Sequence, residues 1–372
     1  MKVTHLTSVH KYNDTRIFLK ECTTIAKHDY EVSLVAPQAI EGVYNNVNVY
    51  SLNLIYKNRI ERFFKSTKLI VEKAMEIDSD IYHFHDPELI PVGIELKKRG
   101  KRIIYDIHED VPRQILNKHW IPGPLRKIIS FLFEKYEDSM VKKFDAIIAA
   151  TPHIEQRFKK NNNLVVNVSN YPIQEELISS RNQMKKENTV VYIGGITEER
   201  GSITMLNAIN KTSGALNLAG KIINSEEEYK LKSHSVWQAK VNYLGFLDRN
   251  QIKSILATSK AGLVVLEPRL NFIDSLPIKM FEYMSAGIPV IASNFPLWKE
   301  IIEGNNCGIC VDPFNVDEIA TAIQWVLDNP DEAEKMGENG RNAVERKYNW
   351  ETESKKLIKV YSSLVYKGNM EE

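Results

Sequence analysis

Short apolar runs alternate along the chain with longer amphipathic segments. In the first half, five apolar runs are typical of buried strands, at residues 3–8, 32–36, 80–85, 102–108 and 146–151. The segments between them carry apolar residues at helical spacing, at 14–28, 60–76, 87–99 and 122–142. An alternation of strand and helix predicts a parallel sheet with helices on both faces.

The alternation stops at a polar stretch without periodicity and then starts again. Six further strand-like runs follow, at residues 189–196, 215–220, 241–247, 261–268, 289–294 and 307–313. The chain is therefore predicted to be an α/β protein with two doubly wound domains, at 1–172 and 189–349, joined by a linker at 173–188. A last helical pattern covers 350–372.

Composition narrows the class of protein. The chain has 372 residues, 43% of them hydrophobic, and a net charge of +1. This length is enough for two domains with real cores, and the charge excludes a strongly basic nucleic-acid-binding protein. Three cysteines do not make a disulfide framework, and no apolar run approaches the roughly 18 residues of a membrane span. The opening residues favour a strand over a signal peptide, so we expect a cytoplasmic protein.

Charge is distributed unevenly. Residues 1–170 hold 26 Lys and Arg against 21 Asp and Glu, which indicates an anionic or membrane-facing partner for this half. Two segments, 57–73 and 119–135, mix basic residues with phenylalanine or tryptophan. Such helices can lie in a membrane interface, or they can be ordinary amphipathic helices packed on a sheet. Both interpretations stay open at this point.

A carboxylate interrupts the apolar stretch SLPIKMFEYMSAGIPVIAS, residues 275–293. Pro277 is typical of a helix start near Ser275, and Gly287 of a helix end, so Glu282 is expected about 8–10 Å along a helix. The start of a helix attracts a diphosphate, and Glu282 could then accept hydrogen bonds from both ribose hydroxyls. The alternative is an ordinary ion pair with Lys279 at i, i+3.

A second candidate is the turn VVYIGGITEERGS, residues 190–202. Gly194 and Gly195 follow a strand and would let the backbone approach a ligand closely. The spacing fits neither a dinucleotide fingerprint nor a P-loop. Arg200 could donate two hydrogen bonds to a phosphate, or it could be a surface arginine beside two glutamates.

Together, SLPIKMFEYMSAGIPVIAS and YIGGITEERG resemble the signature of glycosyltransferase family 4. Members are retaining enzymes with the GT-B fold, in which two Rossmann-like domains face each other across a cleft. The resemblance implies a nucleotide-sugar donor, no required cofactor or metal, and a C-terminal helix that packs back on the N-terminal domain. It places the donor nucleotide around Ser275, Leu276, Pro277, Lys279 and Glu282.

Two positions depart from the family pattern. Members often carry Glu-x7-Glu, whereas this chain has Asp274 eight positions before Glu282. By resemblance Asp274 would contact the donor sugar, with Glu267 as a competing candidate. Gly195 stands where many members have an arginine, which makes Arg200 the principal expected phosphate donor, helped by Lys279 or Arg269.

The N-terminal half offers weaker candidates. His108 ends a predicted strand, and the resemblance places a histidine there near the donor sugar. His83 and His85 share one face of a predicted strand, but the sequence shows no further ligands near them, so we expect no metal.

Three residues after the first strand are candidates for the acceptor site. Asp14, Thr15 and Arg16 stand where family members often have a glycine-rich loop; they would cap a helix and could also meet an acceptor. The Cys-x-x-Cys at 307–310 lies in a strand-like run and is interpreted as two small core residues.

These features predict a retaining glycosyltransferase that moves a sugar, UDP-linked, to a saccharide or lipid-linked acceptor in cell-surface glycan synthesis, on the inner face of the membrane. His108, Arg200 and Asp274 are its candidate catalytic residues. Two alternatives stay open: a nucleotide-sugar 2-epimerase on the same fold, and a non-catalytic partner subunit that binds a nucleotide-sugar.

Overall fold

The computed structural model describes residues 1–52, 59–118, 120–174 and 185–368, with backbone alone at 59–66 and 366–368. Most of the predicted linker and parts of the segments 57–73 and 119–135 lie outside the described residues. The chain divides into two compact units. Unit 1 comprises Met1–Asn170 and Glu351–Glu372, and unit 2 comprises Tyr171–Trp350.

Unit 1 contains an eight-stranded sheet in the order β3-β4-β2-β1-β5-β6-β7-β8. All neighbouring pairs are parallel except β3 and β4. The strands are β1 (Lys2–Leu6), β2 (Glu31–Pro37), β3 (Gly42–Tyr44), β4 (Val47–Leu52), β5 (Ile81–Phe84), β6 (Arg102–Ile107), β7 (Ala146–Ala149) and β8 (Val165–Asn167).

The five predicted strands of this half are confirmed. The prediction succeeds because strands buried on both faces consist of continuous apolar runs. In β1, for example, Val3 pairs with Val32 and Ile81, and all three are fully buried. The sequence prediction missed β3, β4 and β8. β3 is exposed and β8 is only half-buried, so neither carries a strong apolar signal.

The helices of unit 1 flank this sheet. They are a π-helical turn, Thr15–Cys22, continued by Thr23–Ala26, then Arg59–Ile77, Ile90–Lys98, Val111–Leu116, Gly123–Met140, Pro152–Phe158 and Trp350–Gly368, with short 3₁₀ turns at Pro87–Leu89 and Val141–Lys143. Within the described ranges, none of the helices is long and apolar enough to cross a membrane.

Unit 2 contains a six-stranded parallel sheet in the order β11-β10-β9-β12-β13-β14. Its strands are β9 (Thr189–Ile193), β10 (Ala215–Ala219), β11 (Val241–Gly245), β12 (Ala261–Val264), β13 (Val290–Ser293) and β14 (Gly308–Val311). All six were predicted. The strand order reverses between β9 and β12, and ligands of open parallel sheets bind beyond the carboxyl ends of strands at such a point.

The helices of unit 2 connect these strands and cover the sheet. They are Ser202–Asn210, Ser225–Lys232, Trp237–Lys240, Arg249–Thr258, Leu270–Ile273, Ile278–Ala286, Pro296–Ile302, Val316–Asp328 and Pro330–Arg346, with a 3₁₀ turn at Glu198–Arg200. The prediction of an α/β chain with two parallel-sheet Rossmann-like domains is thereby confirmed. The cleft between the domains stays a prediction.

Candidate functional site

The turn after β9 brings backbone and a charged side chain into close approach. Gly194 has φ of 133°, a conformation that side-chain-bearing residues rarely adopt. A Cβ atom at Gly194 would lie 2.8 Å from Nζ of Lys279. Tyr192 donates a hydrogen bond of 2.7 Å to the carbonyl oxygen of Gly195 and holds the turn in place. The backbone conformation favours glycine here, and the end of the Lys279 side chain occupies the space beside it.

The helix Ile278–Ala286 starts near this turn. Pro277 is its N-cap, so the helix starts at least one residue later than predicted, and Glu282 lies about 6 Å rather than 8–10 Å from its start. Gly287, with φ of 72°, ends it as predicted. Tyr283 is fully buried, and its hydroxyl oxygen accepts a 3.0 Å hydrogen bond from the backbone N–H of Ile193. This bond fixes the helix against β9.

Lys279 presents an ammonium group with no counter-ion bonded to it. The side chain is half-buried along its length, but its Nζ atom is buried and has no hydrogen-bond partner among the described residues. The nitrogen lies 3.7 Å from the ring centre of Tyr192. Burial, with the nearby charge of Arg200, holds the pKa of Lys279 well below its usual value of 10.5. An anion bound here would offset the free-energy cost of burying the protonated lysine.

Arg200 supplies a second cation to the same place. It ends the 3₁₀ turn Glu198–Arg200, and its guanidinium lies 5.7 Å from the ring centre of Phe272. A Cβ atom at Gly195 would be 3.8 Å from its Nη1 atom. The carboxyl end of β9 therefore brings together two cations, the glycine turn and the N-terminus of a helix. This combination favours a ligand with more than one negative charge.

Glu282 is bonded to Arg249 and not to Lys279, the ion-pair partner considered from sequence. Its side chain is 6% exposed, and Oε1 accepts a 2.6 Å hydrogen bond from Nη1 of Arg249. Arg249 starts the helix Arg249–Thr258 and was not predicted, because 33 positions separate it from Glu282. No local sequence pattern indicates a contact over that distance.

The loop before the helix holds the remaining donor-site candidates. Asp274 caps the end of the short helix Leu270–Ile273, and Leu276 packs against the core of unit 2. The carbonyl oxygen of Ser275 accepts a 2.7 Å bond from the indole N–H of Trp298. Glu267 is already bonded by Arg269, at 2.5 and 3.0 Å. This pair is partly exposed, so contacts of Glu267 or Arg269 with the donor stay predictions.

In unit 1, His108 follows β6 and is partly exposed. Its Nε2 atom lies 2.7 Å from Oδ2 of the buried Asp106 and 3.3 Å from Nδ1 of His85. Its side chain is 17% exposed, so it can meet a ligand while Asp106 holds its orientation. The contact between His108 and the donor sugar stays a prediction.

His10 was not predicted and lies next to His108, with 5.3 Å between ring centres. Its Nδ1 is 3.6 Å from Asp14, and its Nε2 is 3.4 Å from Asp86. The carboxylate of Asp14, with the nearby Asp86, raises the pKa of His10. The cue in the sequence is its place just beyond the carboxyl end of β1, where the ligands of such sheets collect.

The acceptor candidates fall into two groups. Asp14 caps the π-helical turn and accepts hydrogen bonds from the N–H groups of Arg16 and Ile17. The Arg16 side chain is only 4% exposed and is bonded to Asp106 and to the carbonyl oxygen of Val168. We therefore correct the expectation for Arg16, which lies in the interior of unit 1. Acceptor contacts by Asp14 and Thr15 stay predictions.

Family models match both parts of the chain. "Glycosyl transferases group 1" matches residues 173–343, and "Glycosyltransferase Family 4" matches residues 16–166. The chain belongs to the group 1 glycosyltransferases. The match to "Glycosyl transferases group 1" includes five residues that the structure brings together in unit 2: Gly194, Gly195, Arg200, Lys279 and Glu282.

Individual relatives agree with this assignment. An uncharacterized glycosyltransferase of Methanocaldococcus jannaschii is 28% identical over 179 residues, which are 47% of this chain and 45% of that protein. The chain thus spans about half the length of that curated relative.

Two solved structures agree with the fold. Sucrose-phosphate synthase from Thermosynechococcus elongatus has a TM-score of 0.78 at 17% identity, covering 98% of this chain and 99% of that one. Anabaena HepE in complex with UDP has a TM-score of 0.73 at 16% identity, covering 98% and 100%. At such identities the likeness shows the fold, which is GT-B, and nothing finer.

Proposed function

We propose that this protein is a retaining glycosyltransferase that takes a sugar from a UDP-sugar and transfers it to a saccharide or lipid-linked acceptor. The observation that carries the proposal is the buried ammonium of Lys279, which lacks a hydrogen-bonding anion and sits beside Arg200 and the Gly194–Gly195 turn. A buried, unpaired cation costs folding free energy, so its retention favours a role in binding an anion. The choice of UDP is supported by the structural likeness to HepE, whose structure holds UDP.

In the proposed reaction, the bond between the sugar and the diphosphate breaks and negative charge grows on the leaving phosphate. Lys279 and Arg200 stabilise this charge because they are already positioned and partly desolvated. The acceptor hydroxyl then bonds to the sugar carbon on the same face, and its proton passes to the departing phosphate. No side chain has to act as a covalent nucleophile. Asp274 is proposed to orient the sugar.

Glu282 is proposed to bind the ribose. A carboxylate can accept about four hydrogen bonds, so Glu282 can keep Arg249 and still accept two from a ribose diol. The helix Ile278–Ala286 fixes its distance from the phosphate-binding cations. Glu282 would then distinguish ribonucleotides from deoxyribonucleotides.

This role predicts a specific loss in the Glu282→Ala variant. The wild type is expected to bind UDP more tightly than 2′-deoxy-UDP, by about 10- to 150-fold, the equivalent of the one charge-assisted hydrogen bond that the missing 2′-hydroxyl would make. In Glu282→Ala the two nucleotides should bind almost equally, as measured by isothermal titration calorimetry. The matched control is Glu300→Ala, an exposed glutamate of the helix Pro296–Ile302, which should keep the preference. An undiminished preference in Glu282→Ala would exclude the ribose role.

A membrane-linked acceptor is supported by one face of the helix Gly123–Met140. Apolar side chains at helical spacing are exposed there, between 36% and 60%: Leu125, Ile128, Ile129, Phe131, Leu132 and Tyr136. Lys127 and Lys135 are exposed with them, whereas the acidic residues of this helix bond inward to Arg113, Tyr105 and Arg157. A helix face with exposed apolar and basic side chains, whose acidic residues are paired inward, favours binding to an anionic lipid surface.

An apolar cavity adjoins this helix. It has a volume of about 330 Å³ and is lined by Pro87, Glu88, Pro91, Val111, Phe133 and Tyr136. Its size and lining suit part of a hydrocarbon chain. The cavity therefore supports a lipid-linked acceptor over a free saccharide.

The lipid surface leads to a second prediction. Wild-type protein is expected to sediment with vesicles that contain phosphatidylglycerol and much less with pure phosphatidylcholine vesicles. The double variant Ile128→Ser/Leu132→Ser should lower the partition coefficient at least about tenfold, because two side chains no longer enter the lipid. The control Ile223→Ser changes another exposed isoleucine, in unit 2. Equal sedimentation of the double variant and the wild type would contradict a membrane role for this face.

A further inference from the structure

The centre of unit 1 contains a cluster of histidines and one glutamate that the proposed reaction does not use. His5 lies on β1, Glu21 on the π-helical turn and His83 on β5, and His85 directly follows β5; all four are buried. One ligand atom from each lies within 4.8 Å of the others. The sequence showed only His83 and His85 side by side. The fold adds His5 and Glu21, two further ligand candidates that the sequence does not place near them.

Hydrogen bonds around the cluster fix the tautomers of the three histidines. Asp106 can only accept, so the Nδ1–H of His85 donates to it over 3.1 Å, which leaves the lone pair of His85 Nε2 to accept from His5 Nδ1–H at 2.9 Å. The hydroxyl of Tyr361 donates to His5 Nε2 at 3.3 Å and accepts from His83 Nδ1–H at 2.8 Å. In this chain of bonds, Nε2 of His83 keeps a bare lone pair.

That lone pair faces a carboxylate oxygen of Glu21. Nε2 of His83 lies 3.9 Å from Oε2 of Glu21. Within the described part of the chain, neither this nitrogen nor either oxygen of Glu21 has a hydrogen-bond partner. Arg16 is 3.1 Å from Oε1 of Glu21, but its guanidinium is bonded to Asp106. Oε1 of Glu21 thus has Arg16 as its cation, whereas Oε2 and Nε2 of His83 face each other without a donor and form a place for a second cation.

We propose that Glu21, His83 and His5 hold a divalent metal ion of the zinc class, with a structural rather than a catalytic role. His5 would bind the ion through Nε2, which would then give up its long 3.3 Å bond from the hydroxyl of Tyr361. Imidazole and carboxylate ligands suit zinc, with bonds of about 2.0–2.2 Å, so ligand atoms about 3–4 Å apart can share one ion. Both histidines meet a further condition of metal sites, since each donates its other ring N–H to a fixed partner: His83 to Tyr361 and His5 to His85.

The ion would join elements that are distant in sequence. Its ligands come from β1, the π-helical turn and β5, and Tyr361 on the helix Trp350–Gly368 orients one of them. Because ligands gather only in the folded chain, the binding free energy becomes part of the folding free energy of unit 1.

The test is the metal content of the untagged full-length protein, by inductively coupled plasma mass spectrometry after expression in zinc-supplemented medium. About one equivalent of zinc per chain is expected, as well as a cobalt absorption spectrum typical of a nitrogen–oxygen site after exchange with Co²⁺. Glu21→Gln and His83→Gln should both lose the metal. The control His28→Gln, a histidine bonded only to the carbonyl oxygen of Thr24 in the described chain, should retain it. Chelation should lower the melting temperature of the wild type and of His28→Gln only.

Three results would overturn the proposal. One is a wild-type chain that carries no metal and takes up neither Zn²⁺ nor Co²⁺ when refolded with them. Another is an equal metal content in the wild type and in both cluster variants, which would place the ion elsewhere. The third is a melting temperature that chelation leaves unchanged. The first and third results are measured on the wild type alone, so misfolding of a variant does not remove the test.

Discussion

Replacing Lys279 by methionine is expected to make the free protein more stable and, at the same time, to weaken nucleotide binding by about 10- to 150-fold. Stability should rise by about 1 kcal/mol or more, because an apolar side chain of similar length replaces a buried ammonium that lacks a partner. Affinity for UDP should fall because a charge-assisted hydrogen bond to the diphosphate is lost. Denaturant unfolding and isothermal titration calorimetry measure the two effects.

Proton uptake separates this role from a merely structural one. In the free protein the pKa of Lys279 is lowered by burial and by Arg200, and a bound diphosphate would raise it again. The bound form therefore holds more protons, and affinity should fall as the pH rises through the lowered pKa of the free form. Calorimetry in buffers of different ionisation enthalpy should detect uptake in the wild type and none in Lys279→Met.

The matched control is Lys232→Met, an exposed lysine paired with Glu228 at i, i+4. This variant should keep both the affinity and the proton uptake of the wild type. A Lys279→Met protein that binds UDP as tightly as Lys232→Met does would contradict the phosphate role of Lys279.

Replacing Arg16 by methionine is expected to cost unit 1 about 3–5 kcal/mol of unfolding free energy. Arg16 is 4% exposed, bonds Asp106 through two nitrogens at 2.7 and 2.9 Å, and lies 3.1 Å from Glu21. Without it, two fully buried carboxylates would share one site without their common cation. Burial alone would raise the pKa of Asp106, but Arg16 and His108 outweigh burial and hold it well below its usual range.

Urea unfolding measures this loss, and hydrogen exchange in β1 and β6 assigns it to unit 1. Arg16→Lys should recover only part of the stability, since an ammonium cannot reproduce the two parallel bonds of a guanidinium. Arg99→Met, which removes an exposed i, i+4 pair with Glu95, should change the stability by no more than about 0.5 kcal/mol. A loss below about 1 kcal/mol in Arg16→Met would show that the pair does not stabilise the core.

The sequence predicted most of the fold because buried parallel strands leave continuous apolar runs. β9 to β14 and five strands of unit 1 were visible in this way. The same rule explains the failures, since the exposed β3 and the half-buried β8 lack such runs. Helix ends were less certain, because Pro277 is compatible with both an N-cap and a first helical residue.

The donor site was only partly visible from sequence. The Gly194–Gly195 turn and Glu282 stand out locally, because glycine and an intrahelical carboxylate are unusual in their contexts. From sequence, Lys279 is predicted only to assist Arg200 or to pair with Glu282, yet the structure places its ammonium at the turn, without a hydrogen-bond partner among the described residues. Arg249 could not be found, since its contact with Glu282 depends on packing between two helices.

Contacts between residues distant in sequence were even harder to predict in the interior of unit 1. His83 lies on β5 and His85 directly follows that strand, so their proximity follows from a separation of only two residues. Their contacts with His5 and Glu21 depend on the pairing of β1 with β5 and on the position of the π-helical turn. The burial of Arg16, which sequence reasoning assigned to an acceptor, has the same origin: its partner Asp106 is 90 positions away.

The most direct test of the central claim is a thermal-shift titration of the wild type with UDP, GDP, ADP, CMP, dTDP and NAD. A ligand that binds only the folded state adds about 2.7 kcal/mol at a hundredfold excess over its Kd, which for a domain of this size is about 5–10 °C. We predict a shift of this order with UDP, a smaller one with the other nucleoside diphosphates, and none with NAD. No shift with any nucleotide at millimolar concentration would contradict a donor site built on Lys279, Arg200 and Glu282.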